Sequence, residues 1–484
     1  MNSSSALVIP SRGIFAGPPH ERISLQSAHL IGVRGSGMKA LAECLLQMGV
    51  DVSGSDSSPS DTPLLSLRGR DFHVHQGHDP AFLPETADIV VYSPAVGPAN
   101  PERRLATRLG IPQYSYTQML GLLTRDRIAV CIAGTHGKST TSAIAASLLT
   151  DAGLDPSAII GAELIDRQRS GWAGQGPLFV VESCEFQRSF LQLTPHFATI
   201  LSVEPDHFDC FKNLDETIDA FGDFAARIDE DGLLLIPHDD SAAAAAAVRC
   251  RGRVETLSLH PGSDWSALDR KQTPYGQRFR VFYRGQFLSE MLLQLPGKHS
   301  VYNALAGIAL AHSAGAPVSA IRDSLAEFQG IRRRFERIGS WRGVTLIDDY
   351  AHHPTAVQAT LVTARREFGK RRIWCAFQPH PVSRTQALLN EFAGSFTHAD
   401  EVLIPPIFAA REQVQDEPET VARELAERIS QNGPPARYVP SLDHILRTLE
   451  DEARPGDVFI TMGAGDIDRV HHEFTRRLCR YHSA

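Results

Sequence analysis

Short apolar runs punctuate this chain, and several are followed by stretches whose apolar positions fall three and four residues apart. The runs have the length and branched-residue content of strands buried on both faces, while the longer spacing is that of helices. Residues 28–33 read as a buried strand, 38–48 as a helix closed by Gly49, and 50–52 open a second strand that ends at Ser55-Asp56. Apolar runs return at 89–92, 128–132, 178–181 and 198–203. Residues 142–152 read as a helix stopped by Gly153. Residues 239–248, six alanines behind Asp239-Asp240-Ser241, read as a capped helix with no chemistry of its own. Alternation at Phe279, Val281 and Tyr283, a turn at Arg284-Gly285 and a return over 287–295 predict a hairpin at a sheet edge, with an apolar helix at 303–314 after it. Beyond Gly339 the series resumes with runs at 344–347, 373–377, 401–404 and 458–462.

Strands alternating with helices imply an α/β fold with mostly parallel sheets covered on both faces. The expected division is three tandem domains, 28–126, 127–332 and 333–484, behind a flexible N-terminal extension, 1–27, broken by Pro10, Pro18 and Pro19. A chain of 484 residues with 42% hydrophobic and 21% charged content can bury several cores of this kind. A formal net charge of −8 argues against nucleic acid as a partner. Nothing approaches the roughly 18 consecutive apolar residues of a membrane span, and the apolar piece at 6–9 is too short for a signal-peptide core. Seven cysteines without a CxxC pair fit a reducing compartment, so a cytoplasmic location is expected.

The chemistry centres on Ala133-Gly134-Thr135-His136-Gly137-Lys138-Ser139-Thr140-Thr141, which lies between the run at 128–132 and the helix at 142–152. A strand, a glycine turn and a helix start form a phosphate cradle, to which Lys138 adds a full positive charge and Ser139 a hydroxyl for a magnesium ion. The full P-loop pattern has one more glycine, where this chain has Ile132. Two acidic clusters follow at strand ends, Glu182-Ser183-Cys184-Glu185 and Glu204-Pro205-Asp206-His207-Phe208-Asp209. One or two carboxylates near a phosphate loop suffice for a magnesium-bound triphosphate, and His207 is either a ligand or a hydrogen-bonded loop histidine. Earlier, Gly32-Val33-Arg34-Gly35-Ser36-Gly37 has the spacing GxxGxG, which is not the GxGxxG of dinucleotide enzymes, although Asp56 ends the next strand where such enzymes read a ribose. It is either a tight turn or a diphosphate site. Arg332-Arg333-Arg334 falls at a domain junction, from which an arginine could reach a triphosphate. Arg384, behind the strand at 373–377, could grip a carboxylate or phosphate.

In this order the motifs resemble those of the Mur ligases of bacterial cell-wall synthesis. GTHGKSTT, EPDHFD, PGKHSVYN, GIRRRFERIG, DDYAHHPT, FQPHPVSRT, Ala409-Ala410-Arg411-Glu412 and GAGDI carry the resemblance, from about residue 28 to 470. It implies a Rossmann-like first domain that holds the UDP end of a precursor, a central P-loop-type ATPase domain and a Rossmann-like third domain that brings the amino acid. The implied reaction joins L-alanine to the carboxylate of UDP-N-acetylmuramate, using ATP and Mg²⁺ and an acyl phosphate. By the same resemblance Gly134, Thr135, His136, Gly137, Lys138, Ser139 and Thr140 hold the phosphates, and Ser139, Glu182 and His207 the metal. Asn303 would bind adenine, and Arg333 or Arg334 would touch the triphosphate. Asp349, Tyr350, His352 and Arg384 would line the reaction centre, with Gly32, Gly35, Gly37 and Asp56 on the precursor. A monomer or weak homodimer is the expected assembly.

Departures bear on the substrate. Arg34 stands where the family usually has glycine, Glu182-Ser183-Cys184-Glu185-Phe186-Gln187 replaces EADESD, and Ser300 replaces an asparagine. Pro381 replaces an arginine that in the family helps hold substrate, and proline offers neither charge nor N–H. The alternatives are a related ligase with another acceptor, such as a whole tripeptide, and a non-catalytic paralogue that only binds the UDP precursor.

Overall fold

The computed structural model describes residues 25–58, 66–67, 70–72, 74–208, 210–408 and 418–474. Residues 1–24, Asp209 and 409–412, which figure in the sequence reading, lie outside the described residues. Three larger sheets follow one another along the chain. The first has five parallel strands in the order Val74–Gln76, Asp51–Asp56, Ser27–Ile31, Ile89–Tyr92, Gln113–Ser115. It opens at Ser27, and Leu25 before it is already buried.

The second sheet has ten strands, with Ile128–Ala133 between Leu178–Glu182 and Phe197–Ile200, both parallel to it. The chain leaves Ile128–Ala133 toward one side and later returns to the other. A crevice forms at the carboxyl ends of strands at such a switch point, and the phosphate-loop sequence sits there. The expected hairpin is present as Gly276–Tyr283 paired antiparallel with Gln286–Leu293, and Trp265–Thr273 extends it to three strands. The third sheet has six strands, parallel except for Glu336–Trp341, and includes Val344–Asp349, Ile373–Phe377 and Val458–Met462.

Several boundaries differ from the sequence reading for identifiable reasons. The helix expected at 142–152 is Lys138–Asp151, because Gly137 in the left-handed region turns the chain straight into helix and Ser139 to Ser142 are buried. The helix expected at 303–314 is Lys298–Ser313, starting behind Gly297, with Ser300 Oγ donating to the Pro296 carbonyl. The run at 198–203 is strand only to Ile200; Leu201 N still donates to the Ala133 carbonyl, after which the chain leaves the sheet as a loop. The alanine helix Ser241–Ala247 is capped by the Asp240 carboxylate, as its sequence indicates.

The first two units are locked together. Helix Ser36–Gln47 lies against strand Arg169–Trp172, and a Cβ on Gly171 would fall 1.8 Å from the Ala40 carbonyl oxygen. Buried Glu43 accepts from Ser170 N at 2.8 Å, Ser170 Oγ at 3.0 Å and Gly171 N at 2.7 Å. Among the described residues no helix is long and apolar enough to cross a membrane.

Candidate active site

The strand Ile128–Ala133 delivers the chain to Gly134 at the end of the second sheet. Gly134 and Gly137 have φ of 129° and 82°, and a Cβ on each would fall 2.7 Å from Leu201 N and 2.5 Å from Asn303 Oδ1. Both backbone angle and space therefore demand glycine. Asn303 is thus pressed against the loop from the helix Lys298–Ser313. Thr135 N donates to the Ser202 carbonyl at 2.9 Å, His136 N to Ser202 Oγ at 3.1 Å, and Glu204 N to Thr135 Oγ1 at 2.9 Å. These bonds zip the loop to the segment that follows Ile200. No side chain caps the helix at Gly137, so its first-turn N–H groups and dipole remain available to an anion.

Lys138 Nζ donates to the Gly134 carbonyl and, at 2.8 Å, to Glu185 Oε2. Burial opposes its charge, but Glu185 and Glu182 outweigh that and hold the ammonium above the usual lysine value. Glu185 is the mirror case: burial raises its carboxyl, while Lys138 and His207 bring it below the ordinary range. Ser139 Oγ donates to Glu182 Oε1 at 3.1 Å, and Glu182 Oε2 accepts from Gly161 N at 2.7 Å. His207 Nε2 lies 3.6 Å from Glu185 Oε1. Of the three metal residues expected from sequence, Ser139 meets Glu182, while His207 meets Glu185, which sequence reasoning did not assign to the metal. The Ser139 hydroxyl and the Glu182 carboxylate, in direct contact beside the phosphate loop, are oxygen donors of the kind Mg²⁺ takes while retaining some of its waters.

The third unit meets this site at the loop after Ile200. Arg384 Nε donates to Asp206 Oδ1 at 2.7 Å, and its Nη1 to the His380 carbonyl at 2.7 Å. Burial raises the Asp206 carboxyl, but Arg384 and then His207 outweigh it and hold the group far below its usual range. Thr355 Oγ1 donates to Glu204 Oε2 at 2.8 Å. His352 Nδ1 lies 2.8 Å from the Tyr350 carbonyl, which makes Nδ1 the protonated nitrogen and leaves Nε2 a lone pair. Burial, with Arg384 adding to it, holds His352 well below its usual value, so the ring is neutral at pH 7.

Other expected residues are engaged differently. Arg333 is turned into the third unit: its guanidinium donates to the carbonyls of Gly463 at 2.8 Å and Gly465 at 3.2 Å and faces Asp348 at 3.3 Å. Arg334 lies over the Tyr350 ring at 5.0 Å, as Arg333 also does. Asp349 accepts from Phe335 N and Ala351 N, each at 2.7 Å, and burial pushes its carboxyl up. It shapes the Tyr350–His352 turn.

In the first unit, a Cβ on Gly32 would fall 2.8 Å from Ser93 Cβ, and one on Gly37 would fall 2.8 Å from the Tyr116 ring, whereas Gly35 has room. Asp56 accepts from Arg34 N and Ser58 N, each at 2.8 Å, so its carboxylate organises the glycine turn. Sequence reasoning did not assign roles to Glu185, Asp206, Glu204 or His353, although the first three stand in the acidic segments it singled out.

Comparison with known proteins agrees along the chain. Residues 27–127 match "Mur ligase family, catalytic domain", 132–311 "Mur ligase middle domain", and 333–465 "Mur ligase, glutamate ligase domain". The chain is 39% identical over 447 residues to the UDP-N-acetylmuramate–L-alanine ligase of Desulfitobacterium hafniense (strain Y51), covering 91% of this chain and 98% of that protein. It is 39% identical over 457 residues to the ligase of the same name from Salinibacter ruber (strain DSM 13855 / M31), covering 94% and 95%. Among solved structures it resembles the UDP-N-acetylmuramate-alanine ligase MurC of Thermotoga maritima, with a TM-score of 0.78 at 25% identity over 94% of this chain and 99% of that one. A murein peptide ligase, mpl, from Psychrobacter arcticus 273-4 shares the fold, with a TM-score of 0.73 at 24% identity over 94% and 98%.

Proposed function

The chain belongs to the Mur ligase family, and on that premise we propose that it joins L-alanine to the carboxylate of UDP-N-acetylmuramate at the expense of ATP. A carboxylate is a poor acyl donor until its oxygen becomes part of a leaving group. Transfer of the γ-phosphoryl to it gives an acyl phosphate and ADP. The amine of L-alanine attacks the acyl carbon, and the tetrahedral intermediate expels phosphate to leave the amide.

The observation that supports this reading is that one loop bonds both the phosphate loop and the third unit. The segment after Ile200 is bonded to the phosphate loop through Ser202 and Glu204, and Asp206 on it holds Arg384 from the third unit. Lys138 would exchange Glu185 for the β- and γ-phosphate oxygens, with the uncapped helix start beneath them. Asn303 would face adenine, and Arg334 would reach the phosphates from the junction. Neutral His352 would accept a proton at Nε2 from the L-alanine ammonium, freeing the amine lone pair that attacks the acyl carbon. The Arg384–Asp206 pair would hold the third domain against the second and keep water from the acyl phosphate. Gly32, Gly35 and Gly37 would cradle the diphosphate of the precursor. Ser139, Glu182 and His207 would hold Mg²⁺, which when bound offsets phosphate charge.

The test is phosphate release from ATP and Mg²⁺ with UDP-N-acetylmuramate, with and without L-alanine. Release that requires both, with a product heavier by one alanyl residue, is the expected result. Pro381, which heads the helix Val382–Ala387, motivates a second reading in which the acceptor is larger than one amino acid. A panel of L-alanine, glycine, L-serine and tripeptide separates the two, and use of the tripeptide alone would overturn the first.

A further inference from the structure

Beside the phosphate loop, His136, Glu204 and His353 converge from both sides of the seam. His136 Nε2 lies 3.4 Å from Glu204 Oε2, and His353 Nδ1 lies 3.8 Å from the same oxygen. The donor atoms of the three all fall within 4.8 Å of one another, and the two imidazole rings are 4.8 Å apart. Ligands each about 2.1 Å from a tetrahedral ion stand roughly 3.4 Å from each other, so small side-chain shifts would bring all three onto one centre. His353 is 5% exposed, and neither of its ring nitrogens has a hydrogen-bond partner among the described residues. A buried imidazole in that condition is costly, and coordination would satisfy it. Thr355 Oγ1, donating to Glu204 Oε2, orients the carboxylate from outside. Glu204 and His353 also line an open cleft of about 430 Å³ with Thr355, Gln358, Leu388 and Asn390, which gives an ion a way in and a water the fourth position.

We propose that His136, Glu204 and His353 form a site for a first-row transition ion of the Zn²⁺ class, which clasps the third domain to the phosphate loop. Two imidazoles and one carboxylate suit zinc far better than magnesium, which prefers an octahedron of oxygens. The site is therefore chemically distinct from the group at Ser139, Glu182 and His207, and it stands whichever acceptor the enzyme uses.

The test is a Zn²⁺ titration of the full-length protein against a chromophoric chelator, in excess Mg²⁺. One tight equivalent is expected, weakened roughly 100-fold or more in His353→Ala. Glu204→Gln, which keeps shape and hydrogen bonding, should weaken it comparably, and circular dichroism checks that both variants are folded. His207→Ala and His196→Ala should bind as the parent does; the latter removes an exposed cluster with Asp229 and Asp231. Co²⁺ should give a tetrahedral visible band in the parent that is absent from His353→Ala. Absence of tight binding, displacement by Mg²⁺, loss in His207→Ala or retention in both His353→Ala and Glu204→Gln would overturn the proposal.

Discussion

Arg384 and Asp206 form a buried ion pair, 2.7 Å from Nε to Oδ1, across the seam between the third and second domains. Arg384 also donates to the His380 carbonyl at 2.7 Å, and Asp206 accepts from His207 N at 2.7 Å and faces the His207 ring at 4.0 Å. Removing one member leaves a desolvated charge, so Arg384→Met should cost about 3–5 kcal/mol in docking of the third domain. Adding Asp206→Asn should recover most of that cost. Small-angle scattering and denaturation of both variants check the pair, with the double variant nearer the parent in shape and stability.

The uncapped helix start and Lys138 act on the same phosphate oxygens in the proposed reaction. Lys138→Ala should lower turnover by roughly two orders of magnitude or more, since a charge-assisted contact in the transition state is lost. Steady-state phosphate release measures it, and a near-normal rate would refute the assignment of the loop.

Asn303 stands against Gly137, whose hypothetical Cβ would fall 2.5 Å from Asn303 Oδ1. Asn303→Ala should raise KM for ATP about tenfold, as expected for one lost hydrogen-bonding side chain, with a smaller effect on kcat. A fall in kcat at unchanged KM would place Asn303 in loop geometry rather than nucleotide binding.

Glu43 satisfies three donors of the neighbouring domain from the middle of a buried interface. Glu43→Ala leaves Ser170 N and Gly171 N unpaired and should destabilise the joint between the first two domains by about 3 kcal/mol. Limited proteolysis should then release the first domain more readily, while a surface change such as Glu427→Ala should not.

Burial pushes His471 down to about 4 from its ordinary 6.5, and its Nε2 lies 2.6 Å from Thr461 Oγ1. The unfolded chain takes up this proton first, so the associated stability is present above about 6.5 and is lost as pH falls through about 4. The full effect is on the order of 3 kcal/mol. Thermal unfolding from pH 7 to 4.5 should show a shallower decline in His471→Gln than in the parent.

Much of the site was legible because it is local. The turn Gly134 to Gly137 followed by Lys138 and Ser139 is a property of consecutive residues, and the acidic segments at 182–185 and 204–207 follow strand runs. What was not legible depends on partners far away in the chain. Arg333 and Arg334 are adjacent and alike in sequence and both lie over the Tyr350 ring, yet the first is also bound to the carbonyls of Gly463 and Gly465. Lys298 and Gly297 gave no apolar signal, so the helix carrying Asn303 began earlier than its periodicity showed.

The sequence by itself determined the three-part α/β order, the phosphate loop and the family, because apolar period and short glycine motifs act over a few residues at a time. The tertiary structure alone decided that Glu185 pairs with Lys138, that Arg384 pairs with Asp206 and that His353, without a hydrogen-bond partner among the described residues, lies beside His136 and Glu204. Those relations join residues 47 to 217 positions apart, or sit on opposite domains, and no local propensity encodes them. They follow from sheet order and from the docking of one domain on another, which bring distant strand ends to a common crevice.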